Sequence, residues 1–530
     1  MGADTRASVR TSADDTHVTH GPIAHVRDRA VVGGSVVGSI VHASNACHYA
    51  ADMTGTDSTA ASDRIAGSEG PPGAIRRVAI VGAGPSGLFA VQALLAQEDQ
   101  RVEVDIFDRL PTPFGLVRYG VAPDHESIKS VAQALARVFD SEGLRFRGLI
   151  DFGQDVTREE LLAAYDAVIY AAGASEDLRM NIPGESLPGS RSAREFVAWY
   201  SGHPDATDQD LTGVESAVAV GVGNVAIDVA RILTRHPEEL ERTDMPQAVI
   251  DTLASHTVAD MWIIGRRGPH HASFTTKELR ELCTLEGVQV RVSAGAFDGI
   301  DDADLDRRTR ANVEALRAAD ARQVPDARCR LHFLFWRRPI AVEGDGAVTG
   351  ITVERTEVDA SGRVVGTGET STLETQLILR AIGYRGVPLP GVPFDVEHGV
   401  IPNEEGRVTT EDGHVLEREY VVGWIKRGPI GVIGTNKSDA VQTVRLLLED
   451  LATREHEPHT AALLDLDAHL AERGLYPTSF EDWQRIESAE AGLGEGFGRT
   501  RTKIEAWAEL LDLVARERPG GPPTPADRDR

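Results

Sequence analysis

The sequence predicts an α/β protein with two Rossmann-like domains, and three observations predict it. At 75–97 a short apolar strand, IRRVAIV, passes through the turn GAGPSG into the helical stretch LFAVQALLAQ. At 216–233 the order strand, glycine turn, helix returns as SAVAVGVGNVAIDVARIL. Near the C-terminus the strand REYVVGW enters a glycine-rich loop and then VQTVRLLLED, whose apolar spacing is helical. Strands that alternate with helices in this way build a parallel sheet covered by helices.

At roughly 150 residues per domain, the 530-residue chain has room for two to four domains. Its formal net charge of −27 argues against nucleic acid and anionic membrane as partners, because like charges repel over the whole surface. No run reaches the ~18 apolar residues of a membrane span. The nearest, VVGGSVVGSIV at 31–41, is too short and too rich in glycine. Cys47, Cys283 and Cys329 stand far apart with no CxxC, so neither a redox dithiol nor a cysteine-ligated iron–sulfur cluster is encoded, and no metal site is expected. A reduced, cytoplasmic chain is the reading.

Residues 1–73 lack sustained periodicity and an apolar h-region, and read as a disordered N-terminal extension rather than a secretory signal. After the first strand–turn–helix, RVEVDIFD at 101–108 alternates as a second strand. The proline-rich loop RLPTPFGLVRYGVAPDH comes next, then a helix with Ile128, Val131, Leu135 and Val138 on one face and Asp124 as its expected N-cap. YDAVIYAAGA at 165–174 is a buried strand, and DMWIIGRRG at 260–268 is a strand ending in two arginines. Residues 300–375 hold a charged helix and then the strands RLHFLFW and GITVERTEV; LILRAIGY at 377–384 is again a buried strand. The segment 456–530 reads as helical and polar, with a Pro/Gly-rich end.

The two glycine turns lead to strands with different ends. In the first, Gly82 permits the tight turn, Gly84 lets backbone approach a pyrophosphate, and Gly87 lets helix and strand pack, with Pro85 opening the helix. About twenty residues on, Asp108 ends the second strand, where an acid accepts ribose hydroxyls. In the second turn, Gly221, Gly223 and Ala226 take these places, flanking Asn224 and Val225. The strand after it ends in Arg266 and Arg267 instead of an acid, which suits a 2′-phosphate. FAD at the first turn and NADP(H) at the second is the natural pairing. The late loop at 428–436 is then expected beneath the flavin ring, with a helix from Thr435 or Asn436 aiming its positive end at the reduced ring.

Four blocks carry a resemblance: VAIVGAGPSGLFA, FGLVRYGVAPDH, GVGNVAIDVARIL with IGRRGPHHASFTTKELREL, and GWIKRGPIGVIGTNKSDA. Together, in this order, they closely resemble the adrenodoxin reductase-like ferredoxin–NADP reductases, bacterial members included, over roughly residues 75–510. The resemblance implies an FAD domain in two pieces, 74–178 and 379–530, flanking an inserted NADP domain at 179–378. It implies Trp424 and the backbone of Gly431, Val432 and Ile433 at the flavin face. Asn224 and Val225 would lie by the NADP pyrophosphate, Arg266 and Arg267 on the 2′-phosphate, and Glu278 near the NADP. His125 and Glu281 match polar residues at the nicotinamide–flavin contact, although a helix-start histidine and a solvated helix carboxylate are the plainer readings of the two.

The implied reaction passes hydride from NADPH to FAD and single electrons to a separate ferredoxin, with a cytochrome P450 as one downstream oxidase. Lys277 and Arg280 are candidates for a local positive field on this acidic chain. Asp108 stands where relatives more often carry Glu, and His270–His271 replaces a less basic pair. A thioredoxin reductase-type enzyme needs the missing CxxC. An FAD/NADPH monooxygenase, a general diaphorase with another acceptor, or a non-enzymatic flavoprotein remain as alternatives.

Overall fold

The computed structural model describes residues 75–97, 101–431, 433–453 and 464–515, with only the backbone described at 126–130. The expected N-terminal extension, Cys47 and Val432 lie outside the described residues. No described helix is long and apolar enough to cross a membrane.

Strands β1 (Arg76–Val81), β2 (Val102–Phe107), β3 (Leu144–Arg147) and β4 (Ala167–Tyr170) run parallel in the order β4–β1–β2–β3. β1 and β4 are buried on both faces, hence their unbroken apolar runs. After the two-residue strand β5 (Glu176–Asp177) the chain builds a second parallel sheet. It comprises β6 (Ser190–Ser192), β7 (Ser216–Val220), β8 (Asp260–Gly265), β9 (Val288–Val292), β10 (Cys329–Phe335) and β14 (Leu377–Arg380), ordered β6–β14–β7–β8–β10–β9.

Helices pack one face of this sheet. The other is covered by an antiparallel meander, β11 (Arg337–Glu343), β12 (Gly350–Val358) and β13 (Val364–Glu374). Val342, Ile351 and Val353 of the meander pack on Val218, Val220 and Ile264 of the sheet. Next, β15 (Tyr384–Arg385) pairs antiparallel with β5, so the two crossings between the sheets are zipped together. The chain then adds β16 (Asn403–Glu404), β17 (Arg407–Thr409) and β18 (Val415–Val421) to the first sheet. β18 contains most of the REYVVGW segment, and it pairs parallel with β4, placing Tyr420 beside Ile169.

Two local expectations are corrected. The C-terminal segment is not simply polar: Trp483, Ile486, Ile504, Leu510, Leu511 and Val514 enter the core of the first sheet. Trp483 and Ile486 stand among charges in FEDWQRIESAE, and the polar stretches of the segment outweigh the short apolar helix Trp507–Ala515 in its composition. Within it Glu490 is 0% exposed and forms a two-pronged ion pair with Arg118, whose guanidinium also lies 4.7 Å from the Trp483 ring centre. The second correction concerns Asp124. The helix Glu126–Ala136 has His125 at its N-cap with no side-chain cap, because the Asp124 carboxylate is taken by Arg231.

Glu490→Gln strands the buried Arg118 guanidinium and is expected to cost about 3–5 kcal/mol. Glu449→Gln, which touches only the exposed i,i+4 pair with Arg445, is expected to cost under about 1 kcal/mol. Calorimetric melting of both variants checks the difference: a clear fall in melting temperature for the first and almost none for the second.

Candidate active site

The three glycines of the first turn meet unlike surroundings. Gly82 has φ +112°, and a Cβ there would lie 2.5 Å from the Ala171 carbonyl oxygen. A Cβ on Gly87 would lie 2.1 Å from the Gly82 carbonyl oxygen and 3.3 Å from Ile106 Cδ1, so this glycine lets the helix Pro85–Leu95 close on the sheet. Gly84 has nothing within 4 Å of its Cβ position; it alone of the three opens outward. Pro85 stands at the helix start, where its missing N–H is no loss. Asp108 accepts from the N–H of Ala83 at 3.0 Å and of Leu110 at 3.0 Å. Burial raises the pKa of its carboxyl, and these two N–H groups oppose that shift.

Two further loops close on this turn. Phe114 and Gly115 both hold positive φ, at 83° and 48°, and the Phe114 N–H donates to Ala83 O at 2.9 Å. Strained non-glycine backbone of this kind persists only where its surroundings enforce it. From the late loop, Gly423 (φ +78°) lies so close that a Cβ would meet Ser86 Oγ at 2.2 Å. Its N–H donates to Asp439 Oδ2 at 2.6 Å, stitching the loop to the helix Ile433–Thr453.

That helix starts earlier than the expected Thr435 or Asn436. Gly434 is accommodated in its first turn, and Gly431, at φ +92°, is the last described residue before it. Lys426 Nζ is held by Asp439 Oδ1 at 2.8 Å and Thr443 Oγ1 at 3.0 Å. Arg427 binds the Ile430 carbonyl and Asn436 Oδ1, so both cations of the loop are structural. Trp424 stacks on Tyr384 with ring centres 6.0 Å apart, and its Nε1–H is buried with no partner among the described residues. An outward-open glycine, helix N-termini and an unpartnered buried indole donor fit an anionic flavin dinucleotide.

The second turn repeats this contrast. Gly221 has φ +132° with a Cβ position 2.2 Å from Ala381 O, and Ala226 is fully buried. Gly223 meets only Ser273 Oγ, at 3.4 Å. The helix Asn224–Thr234 starts here, with Val225 half-buried in its first turn; Asn224 Oδ1 accepts from the Thr275 N–H at 2.8 Å. Because β8 lies parallel beside β7, its end delivers Arg266 and Arg267 next to the turn. Neither arginine has an ion-pair partner among the described residues, and Arg267 Nε is buried with no acceptor. Arg158, Arg330 and Arg380, by contrast, each face a carboxylate. Two unpaired guanidiniums on a strongly acidic chain suit a phosphate.

His125 lies at the junction of the two sheets and is 6% exposed. Its Nε2 is 2.7 Å from Arg231 Nη2 and 3.2 Å from Asp228 Oδ1, both on the helix Asn224–Thr234. Its Nδ1 is 4.0 Å from Glu281 Oε2 on the helix Thr276–Cys283. The structure therefore brings His125 and Glu281 together. Glu278, half-buried on the same helix, has no partner among the described residues. Sequence reasoning missed Asp228, Arg231 and Tyr384. The first two leave a trace: a polar pair three residues apart inside the apolar run NVAIDVARIL is a sign of a buried partner.

Comparison with known proteins bears on this arrangement. Residues 76–319 match the pyridine nucleotide-disulphide oxidoreductase family. The chain is 44% identical over 457 residues to the NADPH-ferredoxin reductase FprA of Mycobacterium tuberculosis, spanning 82% of this chain and 98% of that one. The chain belongs to the adrenodoxin reductase-like ferredoxin–NADP reductases. Human mitochondrial NADPH:adrenodoxin oxidoreductase is 40% identical over 461 residues, spanning 83% of this chain and 92% of its own. The solved structure of M. tuberculosis FprA in complex with NADPH superposes with a TM-score of 0.78 at 43% identity, covering 83% of this chain and all of that one.

As a member of this family the chain takes FAD and NADP(H), which gives its glycines separable tests. Gly84→Ala meets open space, so it is expected to keep the wild-type melting temperature of the apoprotein while losing bound FAD. Gly87→Ala drives a Cβ into the Gly82 carbonyl and is expected to lower that melting temperature as well. Flavin content by absorbance and apoprotein melting, measured side by side, check both.

Proposed function

We propose that this chain is an FAD-dependent ferredoxin–NADP+ reductase. The observation that carries the reading is the pairing of two glycine turns of unlike chemistry across the His125–Glu281 contact, with unpaired arginines at the second alone. Residues 74–178 and 379–530 form the FAD domain and 179–378 the inserted NADP domain. Gly82, Gly84, Pro85, Gly87 and Asp108 hold the dinucleotide of FAD, and Trp424, Gly431 and Ile433 line its ring, Val432 being assigned there by the family resemblance alone. When bound, FAD supplies the change from a two-electron hydride to single electrons.

The chain's own residues bind, orient and exclude water. Gly221, Gly223, Asn224, Val225 and Ala226 seat the NADP(H) pyrophosphate at a helix N-terminus. Arg266 and Arg267 take its 2′-phosphate, and Glu278 contacts the same ligand. His125 and Glu281 fix the nicotinamide end. Hydride transfer between stacked rings depends on placement more than on acid–base chemistry. Accordingly, His125 orients rather than serving as an obligatory proton donor.

The acceptor is a separate ferredoxin, since neither described cysteine can hold a cluster. Cys283 and Cys329 are both buried, their thiols pushed up to about 12 and about 11 by desolvation. Buried, unpaired thiols also support a cytoplasmic location. Arg280, exposed on the helix that carries Glu281, supplies a local positive charge for an acidic partner, whereas Lys277, the other candidate, is paired with Glu281 at 3.8 Å. A cytochrome P450 downstream of that ferredoxin belongs to the same reading.

The test is NADPH-driven cytochrome c reduction with and without a [2Fe–2S] ferredoxin, with NADH run in parallel. A large ferredoxin-dependent rate that NADH does not match is expected. NADPH consumption with no gain from ferredoxin would refute the partner, leaving a diaphorase with another acceptor. Oxygen inserted into an organic substrate would mark a monooxygenase instead. Replacing Arg266 and Arg267 by Gln should lower kcat/KM for NADPH about 10–100-fold, the worth of one or two charged hydrogen bonds, and leave NADH unchanged.

A further inference from the structure

We propose that Arg231 is a positioning residue for this reaction: by donating to Nε2 of His125 across the junction of the two sheets, it keeps the ring proton on Nδ1, the edge turned toward Glu281. The proposal rests on the reading of His125 and Glu281 as the pair at the nicotinamide end.

Three observations carry it. A guanidinium has only protons to offer. At 2.7 Å from Arg231 Nη2, the His125 Nε2 must therefore be the acceptor, because a proton there would face another proton. Asp228 Oδ1 is the weaker claimant on this nitrogen: it lies 3.2 Å from Nε2, and a ring proton aimed at it would leave the shorter 2.7 Å contact between two nitrogens without a hydrogen bond. Secondly, Arg231 cannot turn away. It is 0% exposed, and its Nε donates to Asp124 Oδ2 at 2.6 Å; the two protons of Nη2 serve its nearest acceptors, His125 Nε2 and Asp228 Oδ1, with Asp124 Oδ1 farther off at 3.0 Å. Asp124 is the chain neighbour of His125, so one guanidinium fixes both residues at the start of the helix Glu126–Ala136.

Thirdly, the nitrogen left to carry the proton is Nδ1, and it is the one 4.0 Å from Glu281 Oε2. Which ring nitrogen of a histidine is protonated is set by the bond the other makes. With Arg231 removed, Nε2 becomes free to donate to Asp228, and the edge facing Glu281 changes from donor to acceptor. Arg231 stands on the helix that begins at the second glycine turn, so it ties the orientation of a residue from the first sheet's half to the NADP-side helix.

The test uses the FAD-loaded full chain with 15N-labelled histidine and a long-range 1H–15N correlation spectrum, the His125 signal being identified by its loss in His125→Gln. The wild type is expected to show a protonated Nδ1 and a bare Nε2, and Arg231→Gln a proton moved to Nε2. In steady-state turnover with ferricyanide, Arg231→Gln should lower kcat about 10–100-fold, the scale of a misplaced reacting group, with KM for NADPH within about twofold. In the His125→Gln background the same substitution should lower kcat by clearly less, keeping only the share that comes from losing the Asp124 pair.

An equal loss of kcat in both backgrounds would mean that Arg231 only holds the two halves together, and would overturn the proposal. So would a wild-type spectrum with the proton on Nε2, a result that needs no variant to fold. A chain whose flavin NADPH fails to reduce would instead refute the functional reading, while the spectrum still decides the tautomer.

Discussion

The buried ion pair between Asp124 and Arg231 is the interaction on which the arrangement of the site depends. Asp124 comes from the loop after the first glycine turn, and Arg231 from the helix that begins at the second. The pair lies where water is excluded, and burial alone would discharge both groups. Arg231 and Arg235 hold the Asp124 carboxyl below the usual range, and the carboxylates hold Arg231 charged despite its burial. Removing either partner would leave a bare charge in the interior, a loss of several kcal/mol. The helix that carries Arg231 has 11 residues, about 16 Å at 1.5 Å per residue, so its N-terminal turn and the ion pair near its other end are linked by one rigid rod.

Other seams hold the same two halves in register. The crossings of the chain pair as β5 and β15, and Arg380 reinforces them through Asp177 at 3.2 Å and Glu185 at 3.4 Å. The C-terminal segment spans both halves. Lys503 donates to Arg118 O at 2.8 Å, and its backbone N–H to Asp244 O at 3.1 Å. Trp507 Nε1 donates to Asp205 at 2.7 Å, and Arg109 pairs with the same carboxylate at 2.5 Å. A hydride donor and acceptor must meet with sub-ångström care, and two glycine turns carried on separate sheets need several such bonds to be held in register.

The features legible in the sequence are those that local geometry dictates. Gly82, Gly87 and Gly221 can be read because no other residue avoids a backbone carbonyl at those points. The strands β1 and β7 can be read because parallel strands buried on both faces are unbroken apolar runs. The features that escape depend on distant partners. Asp124 has the look of a helix cap in its own stretch, yet a guanidinium 107 residues away claims it. Trp483 and Ile486 sit in a run of charges that conceals the face they bury. The start of the helix Ile433–Thr453 is hidden because glycine signals a loop, whereas Gly434 lies within the helix. The orphan Trp424 indole and its contact with Tyr384 leave no sequence sign, since they join segments from different strands of the fold.

If the two glycine turns present their ligands to each other within one chain, hydride must pass between them with no second protein present. The most direct measurement is anaerobic rapid mixing of the FAD-loaded chain with NADPH, followed at the oxidised-flavin absorbance band, and repeated with NADPH deuterated at the transferred position. The band is expected to bleach within a single turnover, and deuteration to slow it. A flavin that stays oxidised under saturating NADPH, or bleaching that needs a second protein, would contradict that arrangement.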